Sequence, residues 1–170
     1  MSTPRKNPWQ IRLGGYGPPT TSFSQSLKRI GDRLEKQFGD DVDIKYIYNI
    51  MDLGFKGEDI LWLTEHGFLT VSYQSSSYLT DRVPELGFVD LPFLFENNAQ
   101  ARNAIDGALG QYLSQKTEER INYKILGYFE NGFRQISNKL RPIHTPDDFQ
   151  GMSIRVLPSD VQARTFELLG

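Results

Sequence analysis

Three arginines in one stretch, Arg134, Arg141 and Arg155, are the residues whose type and setting most directly suggest chemistry. They lie in GYFENGFRQISNKLRPIHTPDDFQGMSIRVLPS, from Gly127 to Ser159. Arg134 and Arg155 fall in NGFRQISN and MSIRVLPS, whose alternation predicts strands. A buried guanidinium needs a counter-charge, and its rigid fork matches a carboxylate through two parallel hydrogen bonds. Strand alternation points Arg155 away from the face that Ile154 and Val156 bury. Two readings follow: the arginines meet the carboxylate of a ligand, or they pair on the surface with Asp147, Asp148 or Glu130. Arg141, placed before Pro142, reads as structural.

Other candidates are weaker. Asp147 and Asp148 follow Thr145-Pro146 and read as the capped start of a short helix. A catalytic carboxylate pair must be separated across a substrate, which neighbours in sequence are not. Neither G-x-S-x-G nor a comparable nucleophile site occurs, so an enzyme is not expected, and a small α/β enzyme acting on an acidic substrate is the alternative to a binding protein. His66 and His144 form no i, i+4 ligand pair, and there is no cysteine, so neither metal nor cofactor is expected. GGYGPP lacks the G-x-G-x-x-G spacing of a phosphate loop. It reads instead as a flexible strand-end loop at a ligand crevice, with Tyr16 as a wall residue. Ser75 to Ser77 read as an adaptable polar loop, and Phe93 and Phe95 as core.

These side chains must be held by a folded domain. The chain has 170 residues, 38% hydrophobic and 24% charged, the profile of a globular protein. A net charge of -2 gives no electrostatic case for a nucleic-acid partner or an anionic membrane. No apolar run approaches the ~18 residues of a membrane span. MSTPRKNPWQ carries positive charge without an apolar segment behind it, so no signal peptide is read in this chain. An exported protein with its leader removed has the same appearance.

The periodicity predicts a strand at Ile11 to Leu13, then a helix capped by Ser22. Its stripe is Phe23, Leu27, Ile30, Leu34 and Phe38, and Gly39 stops it. VDIKYIYN and FLTVSYQ read as strands flanking a short helix that buries Ile60, Leu61 and Leu63 and closes at Gly67. VPELGFVDLPFLF reads as an extended crossing segment. A long helix follows, capped at Asn97 or Asn98, with Ala101, Ala104, Ile105, Ala108, Leu109 and Tyr112 inward. NYKILGYF reads as a fourth strand, and Asp160 caps a last helix. Alternating strands and helices predict an α/β layer with a mostly parallel sheet.

VPELGFVDLPFLF at Val83 to Phe95, GYFENGFRQISN at Gly127 to Asn138 and RPIHTPDDFQGMSIRVLPS at Arg141 to Ser159 occur in an order that resembles the solute-binding proteins of TRAP transporters, the DctP-like family. The resemblance runs from Ile11 to the end of the chain. It implies a periplasmic-binding-protein-like bilobed fold: a flexible N-terminus at 1–10, a nearly complete first α/β lobe at 11–131, and the start of a truncated second lobe at 132–170. The implied function is capture of a small organic acid outside the cytoplasm, in the periplasm, for membrane permease subunits, by a protein that is monomeric at full length. A fragment unable to bind and serving only in protein contacts is a further alternative. The motif match implies that Arg155 holds the ligand carboxylate, that Arg134 assists, and that the loop at Ser75 adds a polar contact. Some sialic-acid-binding members carry an acidic residue where Ser75 stands, a departure that argues against a sugar acid of that kind.

Overall fold

The middle strand of a three-stranded parallel sheet is β1 (Trp9–Gly14), with β2 (Val42–Ile47) on one side and β3 (Val71–Ser72) on the other. The computed structural model describes residues 7–170, so most of the expected flexible N-terminus, 1–10, lies outside the described residues. Trp9 and Gln10 are themselves paired in β1, opposite Val42 and Asp43. The chain divides into two compact units, Met1–Ser75 and Ser76–Gly170.

In the first unit, α1 (Ser22–Phe38) connects β1 to β2. Its cap is Thr21, one residue before the expected Ser22: the Thr21 hydroxyl accepts from the Ser24 amide. Gly39 ends the helix at φ 52°, a left-handed conformation that favours glycine. The face of α1 turned to the sheet is Ser24, Leu27 and Gly31, with Phe23, Ile30 and Leu34 only half-buried and Phe38 exposed. Small residues occupy its centre because the sheet comes close: a Cβ on Gly31 would lie 2.1 Å from the Tyr46 hydroxyl oxygen. Leu13, Leu27 and Tyr73 form one core cluster, and Ile50, Ile60, Leu63 and Leu69 another. Each fully buried leucine or isoleucine contributes about 1.5–3 kcal/mol. The short helix α2 (Ile60–Glu65) buries Ile60 and Leu63 as expected, with Leu61 half-buried.

In the second unit, the predicted long helix is two: α3 (Asn98–Asp106), capped by Asn97, and α4 (Ala108–Arg120). The break falls at Gly107, and α4 returns so closely that a Cβ on Gly110 would lie 1.8 Å from the Ile105 carbonyl oxygen. The break resets the helical phase. Gly110, Leu113 and Thr117 are therefore buried on α4, while Ala108 and Tyr112 are exposed. VPELGFVDLPFLF is not extended throughout but forms a 3-10 helix over Pro84–Asp90, tied to α4 by a two-pronged contact of Arg120 with Glu85, both bonds 2.6 Å. The last helix, α5 (Asp160–Leu169), is capped by Ser159 rather than Asp160. No helix is long and apolar enough to cross a membrane among the described residues.

The segments expected as strands at 122–129, 131–138 and 152–159 are not strands. Their residues alternate as strands do, yet a strand exists only by hydrogen bonding to a neighbour, and among the described residues none lies beside them. Phe93, expected in the core, is fully exposed at φ 60° in the turn after the 3-10 helix, while Phe95 is half-buried.

The glycines at the end of β1 give the sharpest test of this packing. A Cβ on Gly15 would lie 2.1 Å from a ring carbon of Tyr73, a residue only 7% exposed. Gly15→Ala forces the ring from its site and is expected to cost at least about 2–3 kcal/mol, as overpacking does. Urea denaturation of the variant measures this, and an unchanged midpoint would show that the ring has room to move.

Candidate functional site

Parallel strands leave their carboxyl ends at one edge, and the loops that follow them form the usual ligand crevice of open α/β sheets. In the first unit those loops contain Tyr16 after β1, Asn49 after β2, and Gln74 and Ser75 after β3. The GGYG loop, expected to be flexible, is held by several hydrogen bonds. Gly15 donates its amide to the Ile47 carbonyl at 3.3 Å and accepts from the Ile50 amide at 2.9 Å, while the Tyr73 amide donates to the Gly14 carbonyl at 3.2 Å. The Ser24 hydroxyl donates to the Gly17 carbonyl at 2.9 Å and lies 3.3 Å from the Tyr73 hydroxyl. Tyr16 is half-buried, bridges to Asn49 and packs at a tilt against Tyr73 with ring centroids 5.4 Å apart. Packing thus fixes Tyr16 at the strand ends. Ser75 is half-buried there as well.

The arginines lie in the second unit. Arg134 and Arg155 are both exposed, and neither forms an ion pair with a described residue. Two of the three expected surface partners, Glu130 and Asp148, are engaged elsewhere. Glu130 pairs with Arg102 at 2.5 Å. Asp148 accepts from the amides of His144 and Thr145 at 2.9 and 2.8 Å, at the start of the 3-10 helix Pro146–Phe149. Arg141 is structural: its Nε and terminal nitrogen donate to the carbonyls of Asp148 and Gln150 at 3.0 and 2.5 Å.

The span bearing Arg155 is fastened on both sides. Before it, the Met152 amide donates to the Phe149 carbonyl at 3.0 Å and the Gly151 amide to the Gly170 carbonyl at 2.8 Å. After it, the Leu157 amide donates to Gln162 Oε1 at 3.4 Å, and the Ser159 hydroxyl donates to Asp90 Oδ2 at 2.8 Å. The Ser77 hydroxyl donates to the same oxygen at 2.9 Å and accepts from Gln162 Nε2 at 3.2 Å. Ser77, Ser159 and Gln162 are only 2%, 4% and 3% exposed. A buried hydroxyl without a partner costs about 1–3 kcal/mol, so these groups hold one another in place. Asp90, Ser77, Ser159 and Gln162 were not read as site residues from the sequence. The sequence signals were the polar loop Ser75 to Ser77 and the S-D pair opening the last helix, where Ser and Asp are both good caps.

A groove along α4 is lined by Gln111, Ser114, Glu118, Lys124 and Tyr128 and contains none of the four predicted site residues. Lys124 and the Ile125 amide hold the Glu118 carboxyl below its usual range, so this wall is already neutralised.

In the first unit the parallel strands end in loops of the kind that bind ligands, and in the second unit Arg134 and Arg155 stand without an acidic partner among the described residues. The chain belongs to the family of bacterial extracellular solute-binding proteins, family 7 (DctP), which it matches over residues 13–170. It is 27% identical over 160 residues, 94% of this chain and 48% of the relative, to the 2,3-diketo-L-gulonate-binding periplasmic protein YiaO of Escherichia coli. A TRAP periplasmic solute-binding protein from Sulfitobacter with bound β-D-galacturonate is similar in structure, with TM-score 0.86 and 25% identity, over 95% of this chain and 53% of that one. The sugar-acid-binding protein of Advenella mimigardefordensis in complex with galactonate has TM-score 0.82 and 29% identity, over 96% and 52% of the two chains. The chain spans about half the length of the curated relatives it matches, 42% and 48% of two of them. The family and these neighbours are solute-binding proteins rather than enzymes.

Asp148 offers a check on the geometry around the arginine span. The His144 and Thr145 amides stabilise its ionised form and hold its carboxyl below the ordinary 3.8. A depressed carboxyl stabilises the fold above its unfolded value and loses that contribution as pH falls through the folded value. NMR titration of the Asp148 side-chain carbon is expected to give a midpoint under 3.8, with the Thr145 amide shift moving in step. A midpoint at or above that value would mean that the turn does not form.

Proposed function

We propose that this chain forms part of the extracytoplasmic receptor of a TRAP-type transporter, which captures an organic acid in the periplasm and presents it to membrane permease subunits. The receptor is a monomer, uses no metal or cofactor and needs no nucleic acid. Its first lobe comprises residues 11–131, and the second begins at 132–170. Arg155 holds the ligand carboxylate through its two-pronged guanidinium, Arg134 adds charge and hydrogen bonds, and Ser75 and Tyr16 line the strand-end wall.

One observation carries this reading. Arg155 is exposed and has no acidic partner among the described residues, although the chain on both sides of it is fastened. The acids named for the similar proteins support the ligand class: a diketogulonate, a galacturonate and a galactonate. An arginine–carboxylate contact open to water is worth only about 0–1 kcal/mol. Closure of a second lobe would exclude water from the pair and strengthen it, which ties binding to closure.

Calorimetric titration of the intact gene product with a uronate, an aldonate and succinate tests the reading. At least one is expected to bind, and its methyl ester far more weakly, because the ester leaves the guanidinium facing a neutral group. Equal affinity for acid and ester would point to a general apolar pocket instead. Arg155→Lys is expected to weaken acid binding by about 2–3 kcal/mol, since a point charge replaces a planar fork in a desolvated cleft. Arg134→Lys is expected to have a smaller effect. Unchanged affinity in Arg155→Lys would remove that residue from the site.

A further inference from the structure

We infer that Asp90, acting through the Ser159 hydroxyl, is a positioning residue that sets the aim of Arg155. The inference rests on the reading of Arg155 as the carboxylate anchor and adds a residue group that the sequence motif does not reveal.

Arg155 lies in a short free span. Among the described residues, positions 153 to 156 make no backbone hydrogen bond, while Met152 and Leu157 at either end do. The direction of such a span is set by its fastenings. The fastening before it is backbone to backbone and relies on no particular side chain, apart from the support Arg141 gives to Gln150. The fastening after it is a side-chain device. Asp90 Oδ2 receives both the Ser159 and the Ser77 hydroxyls, and Gln162 closes the loop by donating to Ser77 and accepting from the Leu157 amide. Thr80 adds a weak contact to the Pro158 carbonyl at 3.4 Å. Every hydroxyl in this ring both gives and receives, because the Ser159 oxygen also accepts from the Gln162 amide at 3.5 Å.

The arrangement does more than cap a helix. Ser159 would cap α5 through the Gln162 amide without any help from Asp90. Its proton goes instead to a carboxylate 69 residues earlier in the chain, on the 3-10 helix Pro84–Asp90. Hydrogen bonds to an ionised acceptor are the stronger kind. The chain four residues after Arg155 is therefore referenced to the crossing segment and not merely to its own helix. A two-pronged ion pair demands a fixed plane for the guanidinium, so tilting the span degrades recognition of a carboxylate more than that of a neutral analogue.

Two variants separate the roles. Glycine is nearly as good a helix cap as serine but has no hydroxyl to give Asp90. Ser159→Gly therefore keeps most of the cap and loses the fastening, while Ser159→Thr keeps both. The readout is the ratio of affinities for an acid and its methyl ester, measured on the intact gene product, with amide exchange at Leu157 recorded alongside. Ser159→Gly is expected to lower that ratio about tenfold, equivalent to ~1.4 kcal/mol, and to speed exchange at Leu157. Ser159→Thr is expected to restore both. A lower melting temperature with an unchanged ratio would leave Ser159 a helix cap only and overturn the inference. A wild-type protein without preference for the acid would overturn the function proposed for Arg155, and this inference with it. A wild-type preference that survives Ser159→Gly overturns the inference alone.

Discussion

The second unit is organised around one carboxylate. Asp90 stands at the end of a 3-10 helix and receives two serine hydroxyls, one from 13 residues before it and one from 69 residues after it. Both serines are buried, so neither can exchange this partner for water without a penalty. A contact over such a separation also carries a cost in chain entropy, which grows slowly with loop length. The surrounding packing offsets it: Val161 lies against Gly87, and a Cβ there would come within 3.1 Å of its methyl group. Asp90 is two residues before Pro92, so the motif that carries the family resemblance also carries this hinge of polar contacts.

The first unit is organised differently, by close approach of backbone and ring. Tyr73 lies across Gly15 and Gly17, packs on Tyr16 and Phe23, and presents its hydroxyl to Ser24. Aromatic pairs in tilted contact add a small directional preference to their burial. The consequence is a strand-end loop that is glycine-rich for compactness rather than for motion. On the proposed reading, a ligand wall held by such packing before any ligand arrives would lose little ordering entropy on binding.

The sheet, α1, the short second helix and the capped turn at Pro146–Phe149 were legible because each has a local cause: apolar spacing, a hydroxyl before a helix, a glycine after it. Errors arose where the cause is not local. Ser24 and Gly31 form the buried centre of α1 although neither is apolar, because closeness to Tyr73 and Tyr46 selects for small size. The α3–α4 break changed which residues face inward, and a periodicity count run through Gly107 could not see it. The strands expected at 122–129, 131–138 and 152–159 show a further limit. Alternation records what a segment is able to pair as, and pairing itself depends on another segment. Of the candidate site, the arginines were legible by residue type and motif. The groups that hold the Arg155 span were not, since serine and glutamine at a helix start look the same whether or not a distant aspartate receives the proton.

On the proposed reading, a receptor arginine must satisfy two opposing demands. It must remain without an internal acid, or the ligand carboxylate would have to displace one. It must also be held in one orientation, or the freedom lost on binding would consume the gain. An internal ion pair would meet the second demand by violating the first. Fastening the backbone at either side meets both, because the polar groups that do it touch the chain and leave the guanidinium alone. Glu130 and Asp148, two of the acids the sequence offered as partners, are engaged by Arg102 and by the Thr145 turn. On that reading, those two acids leave Arg155 unneutralised while the fastenings of the span on either side keep it pointed.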